Sequence, residues 1–196
     1  MKKLSVITTL AFFAASAPAL AHLDPGGHGS FADGFSHPLF GLDHVLAMVA
    51  VGLWAALLGG RAPWLVPAAF VGTMVIGFLT ALAGAPLPFV EPAILASVVT
   101  IGLVAAVALD VPVPAAMAMV GFFALFHGHA HGGEMGAAGA GAYAAGFAVA
   151  TALLHATGVA VGGTVARLAG MATGRMITRL AGAATALGGL WLAVAG

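Results

Sequence analysis

Residues 126–134 read Phe-His-Gly-His-Ala-His-Gly-Gly-Glu, and they end an apolar run that begins near residue 114. This stretch holds three of the eight histidines and one of the six acidic residues of the chain. A second polar stretch, residues 37–44, reads His-Pro-Leu-Phe-Gly-Leu-Asp-His and also borders an apolar run. Ionisable groups within membrane helices are costly and are usually functional. We therefore expect a membrane protein with a binding site built from these two stretches.

The composition excludes an ordinary soluble domain. Of the 196 residues, 62% are hydrophobic and only 6% are charged, whereas soluble domains carry about 25% charged residues. Lipid can solvate such a surface and water cannot, so the fold class is an all-α membrane protein. The net charge of zero gives no indication of a nucleic-acid partner. The absence of cysteine excludes disulfides, thiolate metal ligands and thiol catalysis.

The first 21 residues have the pattern of a secretory signal peptide. Lys2 and Lys3 precede an apolar segment, residues 4–15, and residues 19–21 read Ala-Leu-Ala, a cleavage pattern. Cleavage would leave His22 at the new N-terminus, and a retained signal anchor is the alternative. In both cases residues 22–36, which are rich in glycine and polar residues, are expected to form an exposed segment outside the cytoplasm.

The remaining chain, residues 22–196, is predicted to form one domain with six transmembrane helices. Five of the six have lengths within the roughly 17–25 residues that a helix needs to cross a bilayer, and the fifth span is one residue longer. Pro38, Pro92 and Pro114 fall in the first turns of their spans, where proline is tolerated. The predicted spans are 38–58, 64–83, 92–109, 114–131, 140–165 and 176–195.

The arginines predict which way the spans point. With residue 22 outside, the loops after spans one, three and five face the cytoplasm, and these regions carry Arg61, Arg167, Arg175 and Arg179. Both termini are then periplasmic in a multi-pass protein of the bacterial inner membrane. The two polar stretches, at the start of span one and the end of span four, would lie at the same depth on the periplasmic side.

The spacing within each stretch predicts side chains that point the same way. His37, Gly41 and His44 have i, i+4, i+7 spacing and would share a helix face, with Asp43 about 100° away. In the second stretch, His127, His131 and Glu134 repeat this spacing. Imidazole and carboxylate groups together favour nickel, cobalt, zinc or copper(II). We therefore expect a divalent metal site at the outer ends of spans one and four.

Three other histidines are further candidate ligands. His129 would lie on the other side of its helix from His131. His155 lies near the middle of span five, where it is either a second ligand below the outer site or a partner in an interhelical hydrogen bond. The imidazole and α-amine of His22 could chelate an ion before entry, whereas a flexible polar tail is the simpler interpretation of this segment.

At the two polar stretches the sequence resembles the HupE/UreJ family of nickel and cobalt permeases. The first family motif is a His, five residues, then Asp-His, which here is His37 to Asp43-His44. The second is Phe-His-Gly-x-Ala-His-Gly-x-Glu, which residues 126–134 match at every specified position. The resemblance implies that the chain imports Ni²⁺, or Co²⁺, as accessory to a hydrogenase or a urease. By carry-over it implies these metal ligands: His37, Asp43, His44, His127, His131 and Glu134.

The predicted function is therefore that of a secondary permease and not of an enzyme. The sequence has no Walker-type phosphate loop, no indication of an organic cofactor and none of an oligomer. The alternatives are an intramembrane metal-dependent enzyme, a haem-binding electron carrier, and a copper permease with methionine ligands. No His-Glu-x-x-His motif supports the enzyme.

Overall fold

The computed structural model describes residues 30–135 and 139–195, without the side chain of Glu134. These residues form seven α-helices and no strand. The predicted signal peptide and His22 lie outside the described residues. We number the helices in chain order: α1 is Phe31–Phe40, α2 is Leu42–Leu58, α3 is Ala62–Leu82, α4 is Val90–Ala106, α5 is Val113–Glu134, α6 is Ala140–Ala169 and α7 is Met171–Ala195.

Four helices, α3, α5, α6 and α7, are long and apolar enough to cross a membrane. The pair α1 and α2 also qualifies if it is counted as one span with a bend of 82°. At 17 residues α4 is apolar but shorter than these. A multi-pass helical membrane protein is thus supported for four or five crossings, and the sixth crossing and the orientation of the termini stay predictions.

The prediction of one continuous first span is wrong. Gly41 has φ −81° and ψ 113°, an extended conformation that separates α1 from α2. Pro38 lies near the C-terminal end of α1 and not in a first turn, and it has no N–H to donate to the preceding turn. Proline followed by glycine three residues later weakens the helix here, since both residues have low helix propensity. By contrast, Pro92 and Pro114 do lie in the first turns of α4 and α5.

The prediction of an exposed segment up to residue 36 is also wrong from residue 33 onward, although residues 30–32 are exposed. Ser30 caps α1: its hydroxyl accepts a hydrogen bond from the Asp33 backbone N–H at 3.0 Å, and the Asp33 carboxylate accepts one from the Ser30 backbone N–H at 3.2 Å. This reciprocal arrangement is a capping box. Gly34 of α1 is buried against the backbone carbonyl of Tyr143 in α6. The segment is therefore part of the helical bundle.

Close helix pairs are built on small residues. The most extensive contacts join α3 to α5, α4 to α7, α2 to α6 and α1 to α6. Between α3 and α5, a Cβ on Gly77 would meet the Leu125 carbonyl, and a Cβ on Gly128 would meet the Met74 carbonyl. In membranes, where lipid weakens the hydrophobic drive for helix association, such close backbone approach is a main source of packing energy. Gly128 is part of the second polar stretch, so the same stretch supplies both the packing surface and the histidines.

The arginines of α7 lie beside the C-terminal end of α4. Arg179 Nε donates a hydrogen bond to the Ala106 carbonyl at 2.9 Å, and Arg175 donates one to the Ala108 carbonyl at 3.4 Å. These side chains satisfy carbonyl groups that a helix end leaves without intrahelical partners. The segment after α4 and the start of α7 therefore lie at the same end of the bundle.

Candidate metal site

Four histidine rings meet where α1 bends into α2 beside the C-terminal half of α5. The ring centroids of His37 and His131 are 4.4 Å apart, those of His44 and His131 are 4.9 Å apart, and those of His44 and His127 are 5.2 Å apart. His44, His127 and His131 are buried. The two sequence stretches, about 90 residues apart in the chain, thus contribute to one cluster, which we call the outer histidine cluster.

The bend at Gly41 places His37 in this cluster. In a straight helix, residues seven apart are separated by about 10.5 Å along the axis. Here the rings of His37 and His44 are only 5.8 Å apart and nearly perpendicular. The prediction that both residues lie on one face of a continuous helix was therefore wrong in its geometry, although the two side chains do come together.

Asp43 contacts the Nδ1 atom of the His44 ring. Its carboxylate lies 3.0 Å from His44 Nδ1. A carboxylate can only accept, so the proton is on Nδ1 and the lone pair of neutral His44 is on Nε2. Carboxylates commonly orient metal-binding histidines in this way. In this arrangement Asp43 positions His44, whereas the sequence predicted Asp43 as a ligand.

His44 Nε2 faces the second stretch directly. It lies 2.8 Å from His131 Nε2. Two nitrogen ligands at about 2.0–2.1 Å from an ion are separated by about 2.9 Å where they are 90° apart, as in an octahedral site, and by about 3.3 Å in a tetrahedral one. An ion could therefore replace the proton that the two nitrogens share with only a small movement of the rings, while that proton passes to Nδ1 of His131 in the other neutral tautomer.

Ser97 of α4 holds the ring of His127. The Ser97 hydroxyl donates to the Ile94 carbonyl at 2.6 Å, and its oxygen lies 2.9 Å from His127 Nε2. Because the hydroxyl hydrogen is already used, His127 must donate from Nε2, and its lone pair is then on Nδ1. His127 Nδ1 has no hydrogen-bond partner among the described residues. Ser97 was not among the predicted site residues, because its only signal in the sequence is a hydroxyl in the middle of an apolar helix.

Aromatic rings form the walls of the cluster. Phe147 of α6 has its ring centroid 4.7 Å from that of His131 and 6.0 Å from that of His44. The ring centroid of Tyr143, one turn earlier, lies 6.2 Å from that of His37. Phe70 of α3 lies 5.7 Å from His127. These walls limit access of water, which strengthens electrostatic interactions inside the cluster.

Two of the other predicted ligands, His129 and His155, lie outside the outer histidine cluster. His129 Nε2 donates to the Ala85 carbonyl at 2.8 Å, so this ring contacts the segment between α3 and α4 and not the outer histidine cluster. His155 is buried beside Phe70, deeper in the bundle. Glu134 ends α5, and its side chain, like His22, lies outside the described part of the structure. Within the described part of the chain, no three His, Asp or Glu side chains already have the arrangement of a metal site.

Gly41 lies close to the side chains of Asp43 and His44. A Cβ on Gly41 would lie 2.9 Å from His44 Nδ1 and 3.0 Å from the Asp43 carboxylate. These separations are shorter than ordinary van der Waals contacts. Gly41 therefore serves two purposes: its extended conformation bends the chain, and its missing side chain leaves room for the hydrogen bond behind His44.

Comparison with known proteins identifies the family. The family model described as HupE / UreJ protein matches residues 10–192. The chain belongs to the HupE/UreJ family. A HupE/UreJ relative, Protein HupE of Rhizobium leguminosarum bv. viciae, is 45% identical over 157 residues, which cover 79% of this chain and 81% of that protein. No solved structure matches the chain. The family resemblance predicted from residues 37–44 and 126–134 is thus confirmed.

Proposed function

We propose that this HupE/UreJ protein is a secondary permease that imports Ni²⁺ across the bacterial inner membrane, with Co²⁺ as the second candidate ion. The observation that carries the proposal is the 2.8 Å approach of His44 Nε2 to His131 Nε2. These two residues belong to the two separate motifs, and their Nε2 atoms face each other in a buried site. The ion is the transported substrate, and the enzyme that it supplies is a hydrogenase or a urease.

In this proposal the cluster exchanges the water shell of the ion for imidazole nitrogens. His44 and His131 provide the first pair, and His37 and His127 are the next rings within reach. Asp43 orients His44 and supplies negative charge that favours a cation. Glu134, at the end of the helix that carries His127 and His131, completes the proposed ligand set. Transport requires binding that is strong enough for capture and weak enough for release.

The proposed orientation places the outer histidine cluster on the periplasmic side. The support is the positive-inside rule, together with the position of Arg175 and Arg179 next to the end of α4. With the cluster facing the periplasm, a scarce ion meets the histidines before it meets the apolar interior. The proposal also includes cleavage of the signal peptide after residue 21.

Uptake of radioactive Ni²⁺ tests this function. Cells expressing the protein are compared with cells carrying His131→Ala and His129→Ala, at equal amounts of protein in the membrane. The two residues lie on one helix two positions apart, but only His131 is in the cluster. We expect His131→Ala to abolish expression-dependent uptake and His129→Ala to retain most of it, because the His129 ring bonds to the Ala85 carbonyl and does not reach the cluster.

Competing ions test the metal preference in the same assay. Excess Co²⁺ should reduce Ni²⁺ uptake more than excess Zn²⁺ or Cu²⁺. Stronger competition by copper would favour the copper permease. Absence of Ni²⁺ uptake by inserted wild-type protein would contradict the proposal and leave the metalloenzyme as the next hypothesis.

A further inference from the structure

His155 of α6 is fully buried and has no hydrogen-bond partner among the described residues. Its exposed fraction is 0%, and neither Nδ1 nor Nε2 contacts a donor or acceptor in the described part of the chain. Most buried polar side chains in proteins are hydrogen-bonded, and an exception calls for an explanation such as a bound ion or water. An unpaired buried group of this kind lowers the stability of a fold, because its lost hydrogen bonds to water are not replaced. An apolar residue at position 155 would avoid this loss of stability, so the imidazole calls for a functional explanation.

His155 lies deeper in the bundle than the rings of the outer histidine cluster. The ring of Phe147 lies against the outer histidine cluster. Phe147 precedes His155 by eight residues on the same helix, or about 12 Å at the rise of an α-helix. His127 lies between these two levels, since it precedes His131 by one turn of α5, about 6 Å. The Phe70 ring contacts both His127 and His155, with centroid distances of 5.7 Å and 4.9 Å. The rings of His131, His127 and His155 therefore stand at successive depths.

The surroundings of His155 supply further soft and polar atoms. Thr151 lies one turn earlier on the same helix and is buried, and its hydroxyl contacts the sulfur of Met74 at 3.8 Å. Met74 is buried one turn from Phe70 on α3. Imidazole nitrogen is a preferred donor for first-row divalent transition metals. This part of the bundle thus places an imidazole that has no hydrogen-bond partner among the described residues near a hydroxyl and a thioether that bond to each other.

We propose that His155 is an inner ion-binding station, which receives the transition-metal ion from His127, the innermost ring of the outer histidine cluster. This inference rests on the proposed import function. A single tight site would hold a captured ion, whereas two stations in sequence let each bind it moderately and pass it on. The lone pair that Ser97 leaves on His127 Nδ1 is available for this transfer.

The test separates binding from transport in purified protein. Ni²⁺ affinity is measured by calorimetry in detergent, and the initial rate of Ni²⁺ uptake is measured in proteoliposomes. The variants are His155→Ala and His155→Phe, which keeps an aromatic ring against Phe70 but has no nitrogen. Thr157→Ala is the control, because its exposed hydroxyl bonds to the Leu153 carbonyl of its own helix. The melting temperature of each variant is measured beside wild type.

We expect both His155 variants to lower the initial uptake rate at least about tenfold, the loss typical when a metal partner is removed, while the affinity of the outer cluster changes less than about twofold. Thr157→Ala should match wild type. Wild-type uptake by His155→Phe would overturn the proposal, because packing alone would then explain the residue. Loss of both affinity and uptake would also overturn it, since His155 would then belong to the outer cluster or to the fold. If wild type itself neither bound nor transported Ni²⁺, the import function would fail first.

Discussion

The Ser97 hydroxyl oxygen lies 2.9 Å from His127 Nε2 while donating its own hydrogen to the Ile94 carbonyl at 2.6 Å. This pair of bonds allows only one tautomer of neutral His127, with the lone pair on Nδ1. A serine on α4 thereby determines which nitrogen of a motif histidine on α5 can bind an ion. Neither polar stretch of the sequence contains this serine.

Replacement of Ser97 by alanine should weaken ion binding without changing the fold. The His127 Nε2–H would lose its acceptor, and the ring could take either tautomer. We expect the Ni²⁺ affinity of purified Ser97→Ala to fall about tenfold, within the range for partners that orient a ligand. Calorimetry checks the prediction, with Thr157→Ala as the control. An affinity within about twofold of wild type would show that the tautomer is not important.

Replacement of Asp43 distinguishes an orienting carboxylate from a ligand. The amide oxygen introduced by Asp43→Asn can still accept the His44 Nδ1–H, whereas the methyl group introduced by Asp43→Ala cannot. We expect Asp43→Asn to lower Ni²⁺ affinity about tenfold and Asp43→Ala about a hundredfold, the two ends of the range for orienting groups. Calorimetry on the two purified variants measures both affinities. Equal and complete loss in both variants would instead favour direct coordination by Asp43.

Alanine at Gly41 should damage the site more than the fold. Its Cβ would lie 2.9 Å from His44 Nδ1 and 3.0 Å from the Asp43 carboxylate, so one of these groups must move. Alanine would also favour a continuous helix through the bend. We expect Gly41→Ala to be inserted at normal levels but to lose most Ni²⁺ uptake. Gly72→Ala is the matched control, because a Cβ on that glycine of α3 meets nothing within 4 Å; similar uptake by both variants would contradict the prediction.

Two glycines of the second motif should respond differently to alanine. A Cβ on Gly128 would overlap the Met74 carbonyl, whereas a Cβ on Gly133 meets nothing within 4 Å. Forcing α3 and α5 apart should cost about 1–3 kcal/mol, as in other overpacked interiors. We expect Gly128→Ala to reduce the amount of protein in the membrane and its melting temperature in detergent, and Gly133→Ala to leave both near wild type. Equal stability of the two variants would show that α3 and α5 can separate at no cost.

The fold class and the family of this protein could be predicted from local patterns along the chain. Low charge and long apolar runs were enough to predict a helical membrane protein, because a bilayer requires helices whose backbone groups are satisfied internally. Residues 126–134 identified the family. The capping box of Ser30 and Asp33 was also visible in the sequence, as a serine followed three residues later by an acid, although the expectation of an exposed segment overlooked it.

The candidate site could be predicted as a set of residues but not as a geometry. Periodicity assumes a continuous helix, so it placed His37 and His44 on one face, whereas Gly41 turns the chain by 82° between them. Ser97, the inward position of His155 and the bond from His129 to the Ala85 carbonyl depend on which helices pack together. Spacing along one helix carries no information about contacts between helices. Those contacts are set by close backbone approach at residues such as Gly77 and Gly128, and only the tertiary structure reveals them.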